Sequence, residues 1–276
     1  MKKVLSFIGK VLCVLLVLAL LGLGALQWLK EKAEASKTPQ NPDMWVDLGL
    51  PSGLLWAKYN MGGTTAGETN YLYAWGDTAF REGRFTWMTY RFTEGDRKPD
   101  VPSIYASGPG DYGKLLKYCT NSQYGKNGLA DNLTTLQPED DAATVGLDKG
   151  ARIPTPDEWI ELFNNTTKKW VVEDGEDFVG VKGIRLTGPN GNSIFLPAAG
   201  YSCDGWLEQF GELGCYWTNA LGDTEMELAN SSHEVFAVMD ATLAAKCFEF
   251  ASVSYSSVRN VFRYEGMSVR AVFPTR

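Results

Sequence analysis

Residues 152–159 read RIPTPDEW. Thr155 followed by Pro156, Asp157 and Glu158 is the pattern of a helix start. The threonine hydroxyl can accept from the amide three residues on, proline needs no N–H at the first helical position, and the glutamate can reach back to the cap. Trp159, Leu162 and Phe163 then recur at i, i+3 and i+4, which predicts an amphipathic helix from Pro156 to about Asn164 with its aromatic face inward. On the N-terminal side, residues 138–143 read PEDDAA. Three carboxylates there would oppose the positive end of a helix dipole, so a second helix is expected. On the C-terminal side, residues 181–187 and 193–197 flank GPNGN, a hairpin signal centred on Asn190-Gly191. Residues 45–48, 54–59 and 71–75 read as further strands, each aromatic or branched and bounded by glycine. Residues 76–118 are rich in Gly, Pro, Tyr and charge and predict a long ordered loop. Met267, Val269, Ala271 and Phe273 alternate with Ser268, Arg270 and Val272, the period of a strand with one buried face.

With 276 residues, 44% of them apolar, the chain has ample material for a packed core. The net charge is −7, and residues 1–37 hold six Lys against two Glu, so the remainder is more acidic still. An acidic domain repels phosphate backbones, and nucleic acid is not expected as a partner. Residues 11–29 are almost wholly apolar and would make a helix of about 28 Å, near the thickness of a bilayer interior. The expectation is therefore a cytoplasmic segment 1–10, a single transmembrane anchor 11–29 and a polar linker 30–43. The domain 44–276 would then lie outside the inner membrane, in the periplasm or at the cell surface. A cleaved signal peptide ending near Ala33-Glu34-Ala35 is the alternative.

The set of motifs, in this order, carries a resemblance. VDLGLPSGLLWA (46–57), LLKYCTNSQYG (115–125), PEDDAA, RIPTPDEW, GNSIFLPAAGY (191–201) and YEGMSVRAVF (264–273) resemble the major paralogous domain family of Bacteroidetes and Fibrobacter surface proteins. That family is related to the sulfatase-modifying-factor branch of the C-type lectin fold. The resemblance implies an α+β, C-type-lectin-like domain with two main helices and a twisted antiparallel sheet, exported as a binding or display module of the cell envelope. Both helices and the sheet are expected to share one core, with Trp56, Trp75, Trp159, Phe195 and Trp217 buried in it.

Residues that carry chemistry are few. His233 is the one histidine and has no nucleophile elbow or HExxH spacing around it, so neither a hydrolytic triad nor a histidine metal site is expected. Cys119, Cys203, Cys215 and Cys247 form no CxxC pair; Cys203 with Cys215 is nearest in sequence as a disulfide candidate, and four cysteines allow three pairings. The acidic runs 174–177 and 223–227 lack EF-hand spacing and read as solvated turns. GPGDYG at 108–113 matches GxGxxG but follows Pro99 and Pro102 rather than a buried strand, and reads as a turn. The resemblance raises a copper-dependent formylglycine-generating activity, but its paired C-terminal cysteines are not matched by the spacing of Cys203, Cys215 and Cys247. No enzyme, metal or cofactor is expected.

The candidate site is the C-terminal third. Its ends, Tyr216-Trp217-Thr218 and 264–273, look like the family frame, whereas ALGDTEMELANSSHEVFAVMD (220–240) and SVSYSSVRNVF (252–262) do not. A family frame with unusual filling resembles the target proteins of diversity-generating retroelements, and implies a ligand-binding face. Asn219, Leu221, Asp223, Glu225 and Glu227, with Tyr255, Ser257, Arg259, Asn260 and Phe262, are expected to form one exposed surface for a protein or carbohydrate ligand. Changing Tyr255, Arg259 and Phe262 together to Ala is accordingly expected to leave stability nearly unchanged.

Overall fold

The computed structural model describes residues 38–94, 113–175, 178–229 and 235–275. Strand β1 (Trp45–Asp47) pairs antiparallel with β2 (Leu55–Ala57), joined by the expected glycine-bounded turn. After it, among the described residues, the short pair β3 (Thr93–Glu94) and β4 (Lys114–Leu115) and a 3-10 turn at Lys126–Gly128 interrupt irregular chain. The acidic run does not open a helix. Pro138–Asp140 forms one 3-10 turn, and Asp141 is the N-cap of α1 (Ala142–Gly146), its carboxylate accepting from the amides of Ala143 and Thr144. A cap belongs outside the helix, so the carboxylates precede α1 rather than fill its first turn. The second helix, α2 (Pro156–Asn164), matches the expected bounds, with both halves of the capping box formed by Thr155 and Glu158.

From here the regular elements among the described residues are strands, with one 3-10 turn at Ala241–Leu243. β5 (Thr167–Gly175), not foreseen, lies beside β6 (Phe178–Thr187), which turns through Asn190-Gly191 into β7 (Ser193–Pro197). A small hairpin follows, β8 (Tyr201–Cys203) with β9 (Trp206–Glu208). β10 (Gly214–Leu221) and the pair β11 (Met226–Ala229) and β12 (Val235–Met239) lead to β13 (Ala244–Phe250), β14 (Ser256–Phe262) and β15 (Val272–Phe273). The sheet order is β10-β13-β14 in one sheet, β5-β6-β7 in a second and β1-β2-β15 in a third, every ladder antiparallel.

The α+β expectation with two main helices is corrected by this architecture: the domain is mostly β, and among the described residues its α-helices are one of nine residues and one of five. The branched and aromatic runs between turn residues pair into short sheets, and little chain remains for helix. The proposed transmembrane stretch 11–29 lies outside the described residues. Among the described residues no helix is long and apolar enough to cross a membrane, so the membrane-helix expectation gains no element here.

The core is divided. Along β10, Cys215 and Trp217 face one apolar cluster and Tyr216 the other; along β13, Cys247 faces the first, and Phe248 and Phe250 the second. This is the two-residue period of a strand covered on both faces. Ala142 and Ala143 of α1 pack in the first cluster, Trp159, Leu162 and Phe163 of α2 in the second. The expectation of one core shared by both helices is therefore wrong, because the β10-β13-β14 sheet stands between them. The five named aromatics are all buried. Trp75, Trp159 and Trp217 also bind the two sides together: their indole N–H groups donate to Thr218 O, Trp217 O and Tyr73 O.

The C-terminal motif departs from its expected form. Residues 264–273 are buried throughout rather than on alternate positions. Only Val272–Phe273 is regular strand; before it, Met267 bridges to Tyr73 and Ser268 to Tyr216, so the segment threads between neighbours on both sides. The stretch 71–75 is likewise buried chain held by the Tyr73–Met267 bridge rather than a strand. Arg270 is tolerated there because it donates to Asn60 Oδ1, Ala57 O and Phe195 O at 2.8–3.0 Å. Arg263 is held in the same way by Tyr90 OH and the carbonyls of Lys117, Tyr118 and Thr242.

Candidate ligand-binding site

β14 is the outer strand of the β10-β13-β14 sheet, and its register on β13 sets which side chains meet. Cys247 lies opposite Arg259, Glu249 opposite Ser257 and Lys246 opposite Asn260. Arg259 and Glu249 therefore share a face. Arg259 Nε approaches Glu249 Oε2 at 2.9 Å, in an alignment short of a true hydrogen bond, so this contact is electrostatic. Glu249 is almost fully buried and Arg259 half exposed. Tyr255, from the turn before β14, donates its hydroxyl to Glu249 Oε1 at 2.7 Å. A buried carboxylate thus orients one aromatic and one cation at the edge of the sheet.

On the opposite face, Asn260 donates to the carbonyl and hydroxyl of Thr224, and Lys246 pairs with Asp223 at 2.6 Å. These contacts hold Asp223 to β13 and Thr224 to β14, joining the two unusual segments in space. Glu225 is exposed beside them. Asn219 is half-buried and tied by its backbone to Pro154 and Leu136. Glu227 lies on β11, with its side chain outside the described residues, and His233 is outside them altogether.

Two of the ten residues are not on an exposed face. Leu221 is buried in the first apolar cluster, where the β10 register shifts against β13 and turns it inward. Phe262 is buried, stacked on Tyr264 at a centroid separation of 5.4 Å and edge-on to Trp87. Alternation continues to the end of β14 but solvent does not, because the chain there dives under residues 71–90. The Cys203–Cys215 pair does not form a disulfide; the four described cysteines are free thiols.

Beneath Arg259 lies a cavity of about 370 Å³, within the roughly 300–1,000 Å³ that ordinarily houses small molecules. Arg259 and Asn260 stand at its rim, and Val261, Phe262, Met226 and Met267 give it an apolar wall. Tyr201, Cys203 and Cys215 line another side, and Glu265 projects from the crossing segment. Glu265 is more than nine-tenths buried; its carboxyl has the Phe262 backbone as a hydrogen-bonding neighbour, and among the described residues no side chain hydrogen-bonds to it. Burial pushes that carboxyl up to about 8, with Asp204 adding and the charge of Arg259 opposing. Burial also raises the thiols of Cys203 and Cys247 to about 12, and that of Cys215 further. At neutral pH these are protonated thiols, a poor start for a nucleophile or a metal ligand. Among the described residues no cluster of His, Cys, Asp and Glu could hold a metal ion.

No family model, no curated protein and no solved structure matches the chain. Sequence reasoning missed Glu265, Glu249, Tyr201 and Met226 at this site. One signal was present: a carboxylate inside the otherwise apolar YEGMSVRAVF run has to be explained by something other than solvent.

Proposed function

We propose that this chain is a ligand-binding module without turnover, and that it takes its ligand at the outer edge of β14 and in the cavity below it. The observation that carries the reading is Glu265. An ionisable group buried without a side-chain partner is costly to the fold, and such groups concentrate where a ligand completes them. Binding alone is favoured over catalysis because burial holds the neighbouring thiols in their protonated, weakly nucleophilic form. The motif order supports membership of the Bacteroidetes and Fibrobacter paralogous family, and the unusual filling between family-like ends supports a surface diversified by a retroelement. Asp223, Glu225, Tyr255 and Arg259 are exposed residues within that filling. Protein, carbohydrate and small polar molecules are the ligand classes to be sorted; nucleic acid is disfavoured by charge.

The test is retention. The purified full chain would be presented to peptide and glycan arrays and to a mixture of small metabolites, with bound species identified by mass spectrometry. A ligand retained unchanged by the native chain, and lost from a Tyr255→Ala, Asn260→Ala double variant that melts at the native temperature, supports the proposal. Recovery of a chemically altered ligand, or equal retention by the double variant, overturns it.

A further inference from the structure

Two groups in the cavity have hydrogen-bonding capacity to spare. Arg259 turns its Nε to Glu249, while Nη1 and Nη2 make no hydrogen bond among the described residues. Its guanidinium stands at the cavity rim, half exposed. Glu265 offers a carboxyl deeper in the same space, near enough for the two charges to influence each other. Donor fork and acceptor therefore line one chamber with the apolar side chains of Met226, Val261, Phe262 and Met267.

A purely anionic ligand would satisfy Arg259 and repel ionised Glu265; a purely cationic one would do the reverse. A sugar could hydrogen-bond to both groups but would face thioether, branched and aromatic carbon on its hydroxyl-bearing sides, leaving donors unpaired. We propose that the cavity binds a free α-amino acid with an apolar side chain, its carboxylate on Arg259, its ammonium on Glu265 and its side chain against Met226, Phe262 and Met267. A guanidinium and a carboxylate can pair in the two-pronged geometry that favours arginine at such sites. This rests on the reading of the β14 edge as a ligand site.

Binding an ammonium requires the ionised carboxylate, so the ligand must displace a proton from Glu265 below pH about 8. The titratable and charged groups facing Glu265 are Arg259 from β14, Tyr201 and Cys203 from β8, Asp204 from the following turn, Cys215 from β10 and Cys247 from β13. Burial raises the phenol and all three thiols, so these stay neutral while Glu265 titrates. Affinity is accordingly expected to rise with pH through the titration of Glu265 and to fall again where the ligand's own ammonium loses its proton.

Calorimetric titration of the full chain with L-methionine, L-leucine and L-phenylalanine tests this, set against N-acetyl-L-methionine and L-methioninamide, which lack the ammonium and the carboxylate respectively. The expected result is saturable binding of at least one free amino acid. Affinity should fall at least about tenfold for each blocked form and for Glu265→Gln, a loss of roughly 1.4 kcal/mol. Uptake of heat in buffers of differing ionisation enthalpy should also reveal a proton released on binding in the native chain and none in Glu265→Gln. Equal affinity for free and blocked forms, or no saturation at millimolar concentrations, overturns the proposal. Failure here while array or metabolite ligands are still retained through Tyr255 and Asn260 leaves the β14 edge a ligand site for another class. An amino acid bound and then chemically converted overturns the non-catalytic reading and leaves the ligand class standing.

Discussion

Glu265 makes folding stability depend on pH in a direction that can be worked out. Its folded pKa of about 8 lies above the ordinary 4.5, so the folded state holds this proton more tightly than the unfolded state does. Its contribution is fully present below about pH 4.5 and is lost as pH rises through about 8. Melting temperatures of native protein and Glu265→Gln should therefore diverge on going from pH 5 to about pH 8.5, with the native chain losing stability relative to the variant. Parallel curves would mean the carboxyl is solvated. Arg270 makes a second prediction. Removing its guanidinium in Arg270→Met strands Asn60 Oδ1 and two buried carbonyls. The loss should be on the order of 3–5 kcal/mol by urea denaturation, since each buried acceptor left without a donor costs about 1–3 kcal/mol before the site relaxes. A loss under about 1 kcal/mol would show that water reaches those acceptors.

At the scale of elements, α2 is specified locally and β14 only in part. Thr155→Ala removes the hydroxyl that accepts from the Glu158 amide, and should destabilise by about 1 kcal/mol without altering the fold. β14 is exposed at its start and buried at its end, and that gradient revises the triple-alanine expectation. Phe262→Ala alone should cost about 3–5 kcal/mol, the usual range for a buried aromatic, because it empties a place between Tyr264 and Trp87. Ser257→Ala on the same strand should be nearly neutral, since its hydroxyl makes only a marginal 3.5 Å contact to the Val258 carbonyl. A chemical-denaturation series along β14 measures the gradient directly; a uniform small loss would restore the picture of an exposed face.

Across the whole molecule, two apolar clusters share the strands β10 and β13, so neither can be dismantled without exposing the back of the other. Trp75 lies in the first and Trp159 in the second. Fluorescence of Trp75→Phe and Trp159→Phe variants, and far-ultraviolet circular dichroism, should report one common unfolding midpoint for each variant, because the dividing sheet couples the clusters. Two separated midpoints would identify independent folding units on either side of the sheet.

Local physics decided much that the sequence announced. The α2 bounds follow from Thr155, Pro156 and Glu158 within one turn of one another, and the β6–β7 hairpin follows from Asn190-Gly191; both signals act over a few residues and need no distant partner. The aromatic core was legible for the same reason, since Trp56, Trp75, Trp159 and Trp217 have few places to go but inward. The acidic turn before α1 was misread because helix dipole and N-cap make the same demand one residue apart. What only the tertiary structure decided is which face each strand shows and to what. A period of two says that Met267 and Ser268 point opposite ways, but not that Tyr73 covers one side of this segment and β10 the other. The division of the core, the burial of Phe262 and Leu221, and the meeting of Arg259 with Glu249 and Glu265 all depend on register and on contacts between residues far apart in the chain. No local propensity encodes these, because their energy exists only when the sheet between the two clusters has closed.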